Sequence, residues 1–437
     1  MVLGWSRRKN KNRKLNLELV TPNHFVCPVS LDLMKDPVTL SSGITYDRAS
    51  IERWLEDGNF TCPVTNQILS SFDLLPNHSL RAMIQDWCVE NRRFGIERIP
   101  TPRIPVTPTQ VEEIVLHLHA SASCLDRYGF LQGVQRIKVW GSESERNRRC
   151  IVDNGTPSVL ASAFREFAND SVEENGSLLE EILNALNWML PLQFEAQKIL
   201  HSSDALRCLV WFLKNQDLSG KQNAIVALRE ILSSGNEQTF ETMTEIEGTI
   251  DLLAEFINKR INPAITKASM GIVYYLVSSS YPSSEKVKLE FIGLGLISSL
   301  LEILIDADKS LSEKALGVFD SLCDCQKGRE RAFSNALTVP VLVKKILRAS
   351  ALATDHCVSA IWKLCRYGSK DDDEDEVEEA LVEALQVGAF QKLLVVLQVG
   401  CGDETKEKAT ELLKLFNPYR AGLECMDSDF KNVKRSF

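Results

Sequence analysis

From about residue 110 onward, one pattern of apolar positions recurs along the chain. A small or apolar residue is followed by apolar residues four and seven places later, as in Ile182/Leu186/Met189, Ala224/Leu228/Ile231, Ala268/Ile272/Tyr275, Ala315/Phe319/Leu322, Cys357/Ile361/Leu364 and Ala409/Leu413/Phe416. That spacing puts three side chains on one face of an α-helix. The first positions are 42, 44, 47, 42 and 52 residues apart, and a fainter Gly133/Ile137/Trp140 stripe stands 49 before the first. A glycine ahead of a second apolar helix also recurs: Gly155 before Val159-Leu160, Gly248 before Leu252-Leu253, Gly295 before Leu300-Leu301 and Gly388 before Leu393-Leu394. Glycine tolerates positive φ and so permits a sharp turn between helices. The middle instance has Ser203-Asp204 before Leu209 instead.

Stripes in near-register at this period predict a helical solenoid of armadillo or HEAT type. We place it over residues 111–420, with about six or seven repeats, and read 421–437 as a C-terminal tail. The long last step contains Asp371–Glu379, eight acids among nine residues, read as a solvated loop between helices. Residues 96–110 are read as a linker, because Pro100, Pro102, Pro105 and Pro108 favour extended backbone.

Residues 21–95 differ in texture, with short apolar stretches broken by Pro, Gly, Asn and Asp. Val38-Thr39-Leu40, Ser41-Ser42-Gly43 and Ile44-Thr45-Tyr46 predict strand, turn and strand. Asp47 predicts an N-cap for a helix over Arg48–Leu55, with Ile51, Trp54 and Leu55 on one face. A second helix is predicted from near Ser79 through Leu80, Ile84, Trp87 and Cys88.

Charge narrows the function classes. Lys and Arg number 50 against 59 Asp and Glu, a net charge of −9, which argues against a general nucleic-acid binder. Residues 1–20 run the other way, with six basic side chains and one acid, and are read as a flexible solvated arm, or else a patch for nuclear import or for an acidic surface. No apolar run reaches the roughly 18 residues of a membrane span, and no secretory signal is evident. The twelve cysteines are therefore expected to be free thiols.

A solenoid presents a long surface suited to gripping a protein, so chemistry should belong to residues 21–95 or to a partner. His24, Cys27, Cys62, His78 and Cys88 do not form the close ligand pairs of a zinc site. Cys27 and Cys62, each in a Cys-Pro dipeptide, read as buried structural residues rather than nucleophiles, since nothing positions His24 as a base. No metal, cofactor or phosphate-binding glycine loop is expected.

HFVCPVSLDLMKDPVTLSSGITYDRASIERWL, FTCPVTNQIL and LLPNHSLRAMIQDW closely resemble the U-box of ubiquitin ligases, and a U-box followed by armadillo repeats resembles plant ligases. The opening Met-Val-Leu-x-Trp with its basic run is similar to the CMPG-type subgroup. The fold implied is mainly α, a small α+β zinc-free RING-like U-box followed by an armadillo α-solenoid. The resemblance implies an E3 that makes no covalent bond to ubiquitin. It would dock a ubiquitin-charged conjugating enzyme (E2) and hold the thioester for attack by a substrate lysine, which is catalysis by positioning. Carried over, the E2 surface comprises Val29, Leu31, Trp54 and Pro63, and the hydrogen-bonding linchpin position falls at Asn66. Asn lacks the charge and reach of the Arg often found there. Asp36, Tyr46, Asp47 and Arg48 are implied scaffold, a polar network in place of zinc.

The partners implied are an E2, ubiquitin and a protein substrate on the solenoid, with self-association open. The location expected is cytoplasmic, with nuclear entry through the basic arm, and the subgroup suggests plant defence or stress signalling. Asn184, Asn187 and Trp188 resemble the Asn/Trp ladder of peptide-binding armadillo grooves, against a reading of Trp188 as packed between helices. Two alternatives stand beside the ligase: a non-catalytic armadillo adaptor with a weak U-box, and an importin-like carrier, which would need such a ladder in several repeats.

Overall fold

A computed structural model of the chain describes residues 21–99, 105–366 and 374–433. The basic arm, Pro100, Pro102 and Asp371–Asp373 lie outside the described residues. The chain divides into two compact units, Met1–Pro105 and Val106–Phe437.

In the first unit, β1 (Pro37–Thr39) pairs antiparallel with β2 (Thr45–Asp47), Thr39 opposite Thr45. Gly43, at φ +80°, makes the turn between them. A short β3 (Leu75–Pro76), not predicted from the sequence, pairs on the other side of β1. Helix α1 (Arg48–Glu56) follows β2, and α2 (His78–Glu90) follows β3. Asn77 is the hub of this end. Its Oδ1 accepts from Leu80 N at 3.0 Å, capping α2, while its Nδ2 donates to Thr45 Oγ1 at 3.3 Å. The apolar core is Phe25, Cys27, Met34, Val38, Leu40, Tyr46, Ile51, Cys62, Leu69, Ile84, Cys88 and Ile99. Ile99 joins this core from the stretch read as linker.

The second unit is a stack of helices. Each predicted stripe falls on one of seven helices, with Met189 as the residue that caps the second: Arg127–Glu143, Val172–Trp188, Leu218–Leu232, Pro263–Ser278, Lys309–Leu322, Ala351–Arg366 and Asp403–Val433. Each of the seven packs against the next, so the stripes form one continuous layer over a shared core. The predicted glycines Gly155, Gly248, Gly295 and Gly388 all sit at positive φ, between +75° and +87°, as N-caps of intervening helices.

Three boundaries differ from the sequence expectation. Pro108 does not end a linker but opens the helix Pro108–Ser123, where a first-turn proline removes only an N–H that has no helical partner. Thr107 and Gln110 close a capping box there. The acid run is not all loop, because Glu374–Gln386 is a helix and its apolar side, Ala380, Leu381 and Ala384, is buried. The final helix runs through Pro418 to Val433, past the tail boundary at 421.

Candidate functional site

Two loops of the first unit are near copies of each other, 35 residues apart. Cys27-Pro28-Val29-Ser30 and Cys62-Pro63-Val64-Thr65 open them. In the first, Cys27 N donates to Asp32 O (2.8 Å) and Leu31 N to Cys27 O (2.9 Å). In the second, Cys62 N donates to Gln67 O (2.9 Å) and Asn66 N to Cys62 O (2.8 Å). Isolated bridges Val26–Leu33 and Thr61–Ile68 close their bases. Leu31 (φ +59°) and Asn66 (φ +54°) hold the same left-handed position. Asn adopts it readily, whereas Leu does so against a strain of roughly 1–2 kcal/mol.

Adjacent residues of β2 reach one loop each, because successive strand side chains point to opposite faces. The buried Tyr46 hydroxyl lies 3.0 Å from Cys62 Sγ and accepts from Val64 N at 3.3 Å. Ser42 Oγ donates to the same sulfur at 3.3 Å. Asp47 serves the first loop: its N–H donates to Cys27 Sγ at 3.3 Å, and its Oδ1 accepts from Lys35 N (2.7 Å) and Asp36 N (2.9 Å). Asp47 is therefore the residue before α1 as predicted, but its carboxylate does not cap that helix. The two amides of the 35–36 turn hold the carboxylate instead. Arg48 closes the frame, with Nε 2.6 Å from Asp36 Oδ2 and its N–H on Asp36 O.

Both sulfurs are drawn toward the thiolate. Burial alone would push the Cys62 thiol up, but hydrogen bonds from Ser42, Thr65 and Tyr46 outweigh it and bring it down to about 6. Burial opposes the same change at Cys27, where Ser30, Asp47 and Val29 lower the thiol. Tyr46 moves upward, through burial and the neighbouring Cys62. Both cysteines are fully buried and serve as hydrogen-bond anchors. Among the described residues, no group of three His, Cys, Asp or Glu side chains is placed to hold a metal ion.

The predicted surface residues sit on this frame. Val29 is exposed and Leu31 is 76% exposed, both on the first loop. Pro63 is half-buried and Asn66 exposed on the second. Trp54 is half-buried against the core, and its Nε1 donates to Thr61 O at 2.8 Å, so it also anchors the second loop. Sequence reasoning missed Val64 (54% exposed), the counterpart of Val29. The repeated Cys-Pro-Val signal could have found it. It also missed the exposed, edge-packed pair Phe60 and Phe72, 5.5 Å between ring centroids.

In the second unit, Trp188 packs against Gly141, with Arg148 over its ring at 5.3 Å. Asn187 Nδ2 donates across to Asn223 O at 2.9 Å, and Asn184 is exposed. Trp188 thus lies between helices rather than on an open ladder.

Residues 21–93 match the U-box domain, and residues 110–434 match the plant U-box protein ARM repeat region. The chain is 42% identical to U-box domain-containing protein 21 of Arabidopsis thaliana, over 100% of this chain and 96% of that one. It is 40% identical to U-box domain-containing protein 20 of the same plant, over 96% and 94%. It is 35% identical to E3 ubiquitin-protein ligase PUB23, also from Arabidopsis thaliana, over 91% and 93%.

Proposed function

The chain belongs to the plant U-box proteins with an armadillo repeat region, and from that premise we propose that it is an E3 ubiquitin ligase. Its U-box recruits a ubiquitin-charged E2, and its solenoid binds the protein to be modified. The observation that carries the reading is the pair of hydrogen-bonded loops that hold Val29, Leu31 and Val64 outward. Exposed apolar side chains, one of them (Leu31) at a strained backbone position, favour a docking role over a packing one. An apolar patch with a half-buried aromatic at its edge has the composition of an interface hot spot.

On this reading no residue of the chain bonds covalently to ubiquitin. Val29, Leu31, Pro63 and Trp54 meet the E2, and the thioester is held for a substrate lysine to attack. Asn66 offers a neutral amide where a charge would bridge E2 and ubiquitin more strongly. That favours a second reading, an adaptor with a weak U-box. Asn66→Arg separates the two, at a left-handed backbone strain of roughly 1 kcal/mol. The proposal extends to a cytoplasmic site of action in defence or stress signalling.

The experiment is autoubiquitination with purified full-length protein, E1, a panel of E2 enzymes and ATP. Ladders from the wild type that vanish in Val29→Ala are the expected result. No ladder with any E2 from the folded wild type, rescued by Asn66→Arg, moves the assignment to the adaptor. Trp54→Ala is the poorer probe, because it also frees the Thr61 carbonyl that holds the second loop.

A further inference from the structure

The seven stripe helices are tied to one another by side-chain rungs at a fixed register. The residue five places after one stripe's first position meets the residue just before the next stripe's first position. Lys138 Nζ lies 2.7 Å from Glu181 Oε2. Asn187 Nδ2 donates to Asn223 O at 2.9 Å. Asp320 Oδ2 lies 3.1 Å from His356 Nδ1. Lys408 Nζ stands 5.5 Å from the Trp362 ring centroid. Every one of these rungs pairs complementary groups.

Two steps in the middle of the layer break the rule. In the same register, Arg229 is set against Lys267, a cation against a cation, and Val273 against Lys314. Arg229 and Lys314 come from the helices on either side of Pro263–Ser278 and converge over its Gly271. A Cβ on Gly271 would lie 3.1 Å from Lys314 Nζ and 3.3 Å from Arg229 Cδ. Lys314 Nζ is also 5.8 Å from the centroid of the Tyr275 ring. Among the described residues, neither the Arg229 nor the Lys314 side chain has a hydrogen-bond or ion-pair partner. Lys267 has only a 3.8 Å contact with an exposed Asp308. Burial, then the nearby Arg229 and Lys267, hold the Lys314 ammonium below its usual range against the weaker opposing pull of Glu313. Converging, half-buried cations repel one another, and a bound anion relieves that repulsion.

We propose that Arg229 and Lys314, converging over the bare backbone of Gly271, form a binding site for one anionic side chain, carboxylate or phosphate, of an extended protein segment. The inference rests on the reading of the solenoid as a substrate surface, and it names the chemistry of the substrate. The guanidinium fork and the ammonium match an oxyanion, and the bare backbone of Gly271 lets the two side chains lie across the helix toward each other. A peptide fits better than a nucleic acid. The chain carries a net charge of −9, and the flanking rungs already pair their cations, so a continuous phosphate backbone would find one cationic gap and then repulsion.

The test is fluorescence anisotropy on the full-length protein with three labelled octapeptides of alternating sequence: Glu-Ser, Gln-phosphoserine and Gln-Ser. The Glu-Ser or the phosphoserine peptide should bind, the stronger of the two naming the source of the anion, and Gln-Ser should bind at least tenfold more weakly. Arg229→Gln/Lys314→Gln should weaken the anionic peptide at least tenfold, and so should Gly271→Leu, whose side chain displaces the Lys314 and Arg229 side chains from over the bare backbone while keeping both charges. Lys327→Gln/Arg331→Gln, the same charge change on an exposed helix outside the layer, should bind as wild type does. The site is refuted if neither anionic peptide outbinds Gln-Ser. It is equally refuted if all variants lose affinity alike, or if single-stranded DNA outcompetes the peptides. The readout involves no E2, so a ligase that makes ubiquitin ladders but ignores these peptides refutes this inference alone.

Discussion

The Tyr46 hydroxyl and the Cys62 sulfur sit 3.0 Å apart, both side chains fully buried. Through that contact, and the Val64 amide on the same oxygen, a strand holds a loop that presents its apolar tip outward. Tyr46→Phe removes one oxygen and leaves the buried Cys62 sulfur and the Val64 amide each short of a partner. The expected cost is about 1–3 kcal/mol of stability in the first unit. Pulse proteolysis of the full-length chain in urea reads it as a lower cleavage midpoint at the loop. An unchanged midpoint would mean that the hydroxyl does not hold the second loop.

The same contact predicts a pH dependence. Cys62 in the folded chain titrates at about 6, against an ordinary value of 9.0. Between those values the unfolded chain holds a proton that the folded chain has released, so stability rises with pH across the window. The contribution is complete above the unfolded value and is lost as pH falls through about 6. The urea midpoint of the wild type should therefore climb from pH 6 to 8 more steeply than that of Cys62→Ser. Parallel slopes would assign the sulfur no share in the titration.

Asp47 separates two structural roles by substitution. A helix cap tolerates Ser, which is as good a capping residue as Asp. A clamp on the Lys35 and Asp36 amides does not, because a Ser hydroxyl is shorter than the carboxylate that reaches both at 2.7 and 2.9 Å. Asp47→Ser and Asp47→Ala should lower the urea midpoint alike, by about 1–3 kcal/mol, with Asp47→Asn closer to wild type. A Ser variant as stable as the wild type would restore the capping role.

Local signals carried the helices and the turn into the sequence, and long-range ones did not follow. The stripe Ala315/Phe319/Leu322 was visible because helix burial repeats every three to four residues, and Gly295 because a left-handed turn selects glycine. The role of Asp47 was not, because its partners lie eleven and twelve residues back and are backbone amides, which leave no residue-type signature. Pro108 misled because proline excludes itself from a helix interior but not from its first turn. Val64 was concealed by treating the two Cys-Pro-Val segments as separate motifs, although their hydrogen bonds make them one motif used twice. The convergence of Arg229 and Lys314 over Gly271 needs three helices at once, and no single stripe contains it.

Trp188 offers the sharpest check on the solenoid itself. The outer carbons of its six-membered ring lie against Gly141 on the preceding stripe helix so closely that a methyl group there would overlap them. Were Trp188 an open groove residue, it could swing aside and Gly141→Ala would be nearly silent. Packed between helices, it cannot, and overpacking at such a site costs about 1–3 kcal/mol. Trp188→Leu alone should destabilise by leaving space, and the double variant should be more stable than the sum of the two singles allows, because the leucine vacates what the alanine fills. Thermal melts of the four proteins complete the cycle. Strict additivity would mean that the two residues do not touch, and the packing of the first two stripes would have to be redrawn.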